Sequence, residues 1–250
     1  MHKLLKPALA LSLACAALAV TFAQGTPLPN VAIDTVRYPS GGADIETYIA
    51  RPKTKATHPG VIVIHDSRGL DEHTRSVAQR LAASGFVAFA PDLLSRAGGT
   101  AAQKAGGVSI AINRIPLTAY VADLTAGLAF LQKTGNVDAA RISVVALGWG
   151  GWRGFMLAAR TPTLHRVVVF GGATPMDGIE SIQAPVLAHY GQFDFRNAAS
   201  AVWTGKRIKR FTYHVYPEAS AASFDSTTRR YDDAVANLAW TRTLEFLQAR

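Results

Sequence analysis

The segment Val61-Ile62-Val63-Ile64-His65 limits the fold more than any other part of the chain. It is β-branched, lacks polar residues at alternate positions and is introduced by Pro59 and Gly60. Such a run suits a strand covered on both faces, as in a parallel sheet with helices packed on each side. Ahead of it, residues 32–38 and 45–50 alternate in polarity around Gly41-Gly42 and read as an edge hairpin. After it, Val77, Leu81 and Ala82 recur at helical spacing and Gly85 closes the helix.

Strand and helix signals then alternate. Strands are expected at 86–90, 141–147, 166–170, 186–190 and 211–216, with helices at 116–133, from the turn after 147 through Ala159, at 198–205 and at 230–248. This order predicts an α/β fold built on a mainly parallel, doubly wound sheet with an N-terminal antiparallel hairpin. Residues 94–113 hold Gly98-Gly99 and Gly106-Gly107 and read as a long loop, of the kind that often covers a site.

The length of 250 residues, 49% of them apolar, suits one substantial core. The first 23 residues stand apart from it. Lys3 and Lys6, an apolar run over 8–20 and Thr21-Phe22-Ala23 follow the order of a secretory signal peptide. Residues 24–250 are then a single domain, expected to be exported and periplasmic or secreted. The apolar run is short for a membrane span, which needs about 20 residues. Lipoprotein processing at Cys15 is the rival, and the preceding Ser12-Leu13-Ala14 fits it poorly. Cys15 is the only cysteine, so residues 24–250 contain no disulfide, thiolate metal ligand or cysteine nucleophile.

The formal charge of +9 raises the question of an anionic partner. The one tight basic cluster, Lys206-Arg207 with Lys209-Arg210, falls where a helix ends, a place cations favour for its dipole. It reads as a solvated helix end, and export also argues against nucleic acid.

Ligands of such sheets bind where strands end at their carboxyl side. Three segments stand there. The first is Ala146-Leu147-Gly148-Trp149-Gly150-Gly151, a strand-to-helix turn with small residues two before and two after its centre. That is the pattern of a nucleophile elbow, a turn too sharp for larger neighbours. Its centre is Gly148. The elbow backbone is strained by about 1–3 kcal/mol for ordinary residues, and glycine adopts it without that cost. The second segment, Gly191-Gln192-Phe193-Asp194, places Asp194 where a triad acid belongs. The third, Pro217-Glu218-Ala219-Ser220-Ala221-Ala222-Ser223-Phe224, is where a triad histidine belongs, yet no histidine follows His214.

From Pro59 onward the chain resembles the dienelactone hydrolases, α/β-hydrolases that open enol-lactones and esters with a Cys-His-Asp triad. The resemblance is carried by Val63-Ile64-His65-Asp66 with Gly69-Leu70-Asp71-Glu72-His73, and by Ala90-Pro91-Asp92-Leu93 with Arg96. It continues through Ala184-Pro185-Val186-Leu187, Tyr190-Gly191, His214-Val215-Tyr216-Pro217 and Ala239-Trp240. It implies an α/β-hydrolase fold, with the nucleophile position on Gly148, the histidine position on Ala221 and the triad acid on Asp194. The glutamate beside the family's nucleophile falls on Asp66, which with Arg96 is expected to bind substrate. Arg96 matches an arginine that meets a substrate carboxylate, and the backbone amides of Trp149 and Ser67 match the oxyanion donors.

Loss of the nucleophile costs a triad enzyme about 10⁶ in kcat. The expectation is therefore a relative that has lost triad catalysis and keeps a pocket for a small carboxylate, ester or lactone. The alternative is a weak or unconventional hydrolase that uses water. Ser67 lacks an evident base. Asp66 and Asp194 could act as a carboxylate pair, but read better as a loop anchor and a helix-capping acid. His65 and His73 read as structural, and Trp152 as core. Gly148, Gly150 and Gly154 do not have the spacing of a dinucleotide loop. No His, Asp or Glu cluster has metal-ligand spacing, so neither metal nor cofactor is expected.

Overall fold

The computed structural model describes residues 28–104 and 106–249. The leader assigned to residues 1–23 lies outside them. The chain folds as β1 (Val31–Ser40), β2 (Ala43–Pro52), β3 (His58–Ile64), α1 (Glu72–Ala83), β4 (Val87–Pro91), α2 (Gly107–Arg114) and α3 (Leu117–Gln132). It continues with β5 (Val137–Leu147), α4 (Gly150–Arg160), β6 (Val167–Phe170), β7 (Val186–Gly191), α5 (Phe195–Gly205), β8 (Phe211–Tyr216) and α6 (Asp233–Gln248).

The eight strands form one sheet in the order β1-β2-β4-β3-β5-β6-β7-β8. β1 and β2 pair antiparallel, as do β2 and β4. From β4 to β8 all pairs are parallel. This is the α/β-hydrolase sheet, with the antiparallel hairpin at one edge. Val61, Ile62, Val63 and Ile64 are all 0% exposed, because alternate side chains of a central strand enter cores on opposite faces. Ile62 and Ile64 pack with Phe89, Tyr120, Leu124 and Phe155, whereas Val61 and Val63 pack with Val77, Leu81 and Phe224.

Two elements differ from the sequence expectation. The segment read as a loop at 94–113 contains short 3₁₀ turns at Ser95–Ala97 and Thr100–Ala102 and then α2. α2 buries only Ala111 and Ile112, an apolar stripe too narrow to announce a helix amid two glycine pairs. α5 begins at Phe195, three residues earlier than expected, with Phe193 and Phe195 exposed. No single helix among the described residues is long and apolar enough to cross a membrane.

Candidate active site

The elbow is built as the small-residue pattern requires. β5 ends at Leu147, Gly148 has φ +47°, and α4 begins at Gly150. The Gly148 amide donates to the Phe170 carbonyl at 2.8 Å and the Gly151 amide to the Gly148 carbonyl at 2.9 Å. A Cβ on Gly150 would stand 2.6 Å from the His65 carbonyl oxygen, so this helix start tolerates no side chain. One on Gly154 would come within 2.8 Å of the Ala146 Cβ, which explains small residues on both sides of the turn. A Cβ on Gly148 itself would point at Asp66, 3.2 Å from its Cβ.

Beside the elbow lies a cavity of about 190 Å³. Asp66, Ser67, Arg68 and His73 come from the β3–α1 side, Leu147 and Gly148 from the elbow, and Phe170 from the end of β6. Ala221, Ala222, Phe224, Asp225 and Thr228 close it from the loop after β8. The structure thus brings Gly148, Ala221, Asp66 and Ser67 to one cavity.

Asp194 stands behind this wall rather than in it. It precedes α5, but its side chain does not cap that helix, contrary to the sequence expectation. Its Oδ2 is buried without a hydrogen-bond partner. Burial raises its pKa, an effect opposed by the amides of Ala221 and Gly191. Asp66 lines the cavity and Asp194 does not, so the two do not form a carboxylate pair across it.

Arg96 is engaged by other residues of the protein and lines a second cavity, of about 430 Å³, with Ala111 and Arg114. Its Nε and Nη2 grip the carboxylate of Asp123, a fully buried residue of α3, and Nη2 donates to the Ser40 carbonyl at 2.8 Å. This clamp ties the turn after β4 to α3 and to the hairpin, and Arg96 is absent from the wall of the elbow cavity. The reason is local: Asp123 would otherwise be an unpaired buried charge, which is costly.

The charged residues that do meet the cavity were only partly visible in the sequence. Arg68 pairs with Asp66 at 3.1 Å and with Asp71 at 2.9 Å, and also with Asp225. One guanidinium therefore ties the β3–α1 loop, the N-cap of α1 and the loop after β8 together. Asp66 additionally accepts the Arg68 amide at 2.7 Å, so it anchors the loop while lining the cavity. Asp225 accepts the amide and hydroxyl of Thr227 at 2.8 and 2.7 Å. Its pKa is lowered: burial works against this, but His73, Thr227 and Arg68 outweigh it. Nδ1 of His73 lies 3.2 Å from Asp225 Oδ1. Burial lowers the pKa of His73 despite that neighbour and the carboxylates of Asp71 and Asp66, with Arg68 adding to the effect. These shifts favour a neutral imidazole beside an ionised Asp225. Arg68 and Asp225 had one signal in the sequence: both are charged residues in loops that follow strands.

His65 is structural. Its Nδ1 faces the Asp66 carbonyl at 2.7 Å and its Nε2 accepts the Leu93 amide at 3.1 Å. The Trp149 ring stacks on His65, meets Tyr120 edge-on and carries the Arg153 guanidinium 3.1 Å from its centroid. The indole is thereby packed away from the cavity, and Trp152 is absent from the lining as well. The Trp149 amide opens α4, where the helix dipole favours negative charge. Among the described residues, no group of three His, Cys, Asp or Glu is placed to hold a metal ion.

Comparison with known proteins agrees with this architecture. The model of the dienelactone hydrolase family matches residues 45–250. The chain belongs to the dienelactone hydrolase family. A Salmonella typhimurium protein named "Putative carboxymethylenebutenolidase" is 30% identical over 240 residues, covering 88% of each chain. One from Methylorubrum extorquens with the same name is 28% identical over 231 residues, 85% of this chain and 79% of that one. Among solved structures, a Klebsiella pneumoniae protein named "Putative Dienelactone Hydrolase" superposes with a TM-score of 0.77 at 26% identity. That superposition covers 88% of this chain and 99% of the other. Membership in this family associates the chain with ester and lactone hydrolysis.

Proposed function

We propose that this chain is an exported family member that no longer forms an acyl-enzyme, and whose elbow cavity binds a small neutral ester or lactone. One observation carries the reading. The elbow is intact around Gly148 at φ +47°, while Gly148 and Ala221 line an open cavity and supply neither nucleophile nor base. Oxyanion donors and binding alone leave roughly 10³–10⁴ over water in a triad enzyme stripped of its triad. The amides of Trp149 and Ser67 do not depend on side chains, so that part of the machinery survives the substitutions.

The electrostatics favour a neutral ligand over the carboxylate that the family resemblance suggested. Arg96 is held by Asp123, and Arg68 is shared among Asp66, Asp71 and Asp225. Two carboxylates, Asp66 and Asp225, line the cavity against one guanidinium and disfavour an anion. The volume of about 190 Å³ suits a small acyl group or a lactone ring, well below the roughly 300–1,000 Å³ of pockets for drug-sized ligands. The basic and apolar start of the chain supports export.

Calorimetric titration of residues 24–250 with γ-valerolactone and with the anion of its opened acid tests the proposal. Binding of the lactone at least tenfold tighter than the anion is expected. Equal or tighter binding of the anion would overturn it.

A further inference from the structure

The cavity contains a histidine and a carboxylate that belong to no part of the family triad. His73 projects from the first turns of α1, and Asp225 follows the 3₁₀ turn Ala221–Phe224, so two separate segments are brought together. Both line the same cavity as Gly148. Both are nearly buried, at 8% and 6% exposure, and the Nδ1–Oδ1 separation is 3.2 Å. From the geometry of this pair we infer that the protein hydrolyses small esters directly, with His73 as the general base for a water molecule and Asp225 as its positioning residue. The inference rests on the ester-binding reading of the cavity and adds a reaction to it.

The pair supplies two parts of base catalysis: an imidazole in the cavity wall and a carboxylate that orients it through Nδ1. Asp225 is anchored by Thr227 and Arg68, so it is a fixed charge rather than a mobile one. Placed against Nδ1, it favours the tautomer with that nitrogen protonated, which leaves the Nε2 lone pair to accept a proton. The groups facing the imidazole are Asp225 from the loop after β8, Asp71 at the N-cap of α1, and Asp66 and Arg68 from the β3–α1 loop. The net shift favours a neutral His73, as a base must be. Asp66, by contrast, is held by the Arg68 amide and guanidinium, and Asp194 does not reach the cavity. At about 30 Å³ per water, a space of about 190 Å³ admits a small acyl group together with the attacking water.

The reaction balances without a covalent intermediate. Nε2 of His73 takes a proton from water as its oxygen bonds to the acyl carbon. The resulting oxyanion is met by the Trp149 and Ser67 amides. The carbon–oxygen bond to the leaving alcohol then breaks, and the alcohol oxygen takes the proton back from His73. The products are the carboxylic acid and the alcohol, and the second product of the proton cycle is the original neutral imidazole.

The experiment uses residues 24–250 and 4-nitrophenyl acetate, with γ-valerolactone binding measured on every variant. The expected result is slow turnover by the parent, linear from the first cycle, with no acetylated protein in quenched mass spectra and a solvent deuterium isotope effect of about 2–3 on kcat. His73→Gln should lower kcat by about 10²-fold while γ-valerolactone binding is retained. Asp225→Asn should lower kcat less and move the acid limb of the pH profile. Should Asp225→Asn not fold, His73→Gln and its rescue by added imidazole carry the test alone. Lactone binding without turnover above buffer, or turnover unchanged in His73→Gln, would overturn the inference and leave the binding reading standing. Absence of lactone binding would overturn both.

Discussion

Asp194 directs its carboxylate towards Ala221, and the Oδ2 atom of that carboxylate is buried without a hydrogen-bond partner. In a complete triad the side chain at the histidine position would occupy that oxygen. Burial raises the pKa of this acid, and the backbone amides of Ala221 and Gly191 oppose the rise.

A carboxylate in that position weakens the folded state when ionised. Its folded pKa is raised, so the native state binds the proton more readily than the unfolded chain, and stability falls as pH rises through the folded value. Asp194→Asn should therefore stabilise the protein at pH 7 by about 0.5 kcal/mol, a figure discounted for the solvent-screened part of the group. The gain should shrink as pH falls through the ordinary aspartate range and vanish well below it, where the group is protonated in both the folded and unfolded states. Urea denaturation at pH 7 and pH 3.5 measures the gain and its decline, and a loss of stability at pH 7 would count against this account of the acid.

Arg68 is expected to be a larger contributor. Removing its guanidinium leaves Asp66, Asp71 and Asp225 facing one another, and the Asp225 side chain is only 8% exposed. Arg68→Ala should cost about 1–3 kcal/mol, the range for leaving a buried acceptor unsatisfied. Arg68→Lys should recover only part of it, since an ammonium lacks the fork that reaches three partners. A urea midpoint unchanged in Arg68→Ala would show that the three loops are held by other contacts.

The buried histidines set the response to acid. His65 and His73 have lowered pKa values through burial, and His189 is pushed down to about 3 by burial with help from His214 and Arg242. Nδ1 of His189 meets the Tyr216 hydroxyl at 2.9 Å and Nε2 the Thr243 hydroxyl at 3.0 Å, so the neutral ring is held on both sides. Such groups contribute stability that is present above about pH 6.5 and is lost as pH falls below it, at up to about 1.4 kcal/mol per pH unit for each. Unfolding free energies measured from pH 8 to 4.5 should decline below pH 6.5, and His189→Gln should flatten the slope. A profile independent of pH over that range would refute the assignment.

The sheet was legible because its signals are strong and local. The β3 run announces a doubly covered strand, and Gly41-Gly42 between two alternating segments announces the hairpin. The elbow was equally plain, because steric crowding against the His65 carbonyl forces a small residue at Gly150 and its sequence neighbourhood shows it. α2 was not legible, since it buries only two side chains and gives no wide apolar face. Arg96 and Arg68 could not be told apart by sequence. Whether an arginine greets a ligand or is consumed by carboxylates depends on which distant acids the fold delivers to it. Asp123 reaches Arg96 from α3, and Asp225 reaches Arg68 from the loop after β8. The same long-range closure makes a pair of His73 and Asp225, 152 positions apart by their numbering.

The central claim, an intact elbow cavity without an acyl-enzyme route, is tested most directly by rapid mixing with 4-nitrophenyl acetate. The parent is compared with the Gly148→Cys/Ala221→His double variant, in which a cysteine stands beside Asp66 and a histidine before Asp194. The account predicts no burst of nitrophenol from the parent, and a burst with acetylated protein from the double variant, whose stability is lowered by about 1–3 kcal/mol for a side chain at φ +47°. A stoichiometric burst from the parent would contradict it.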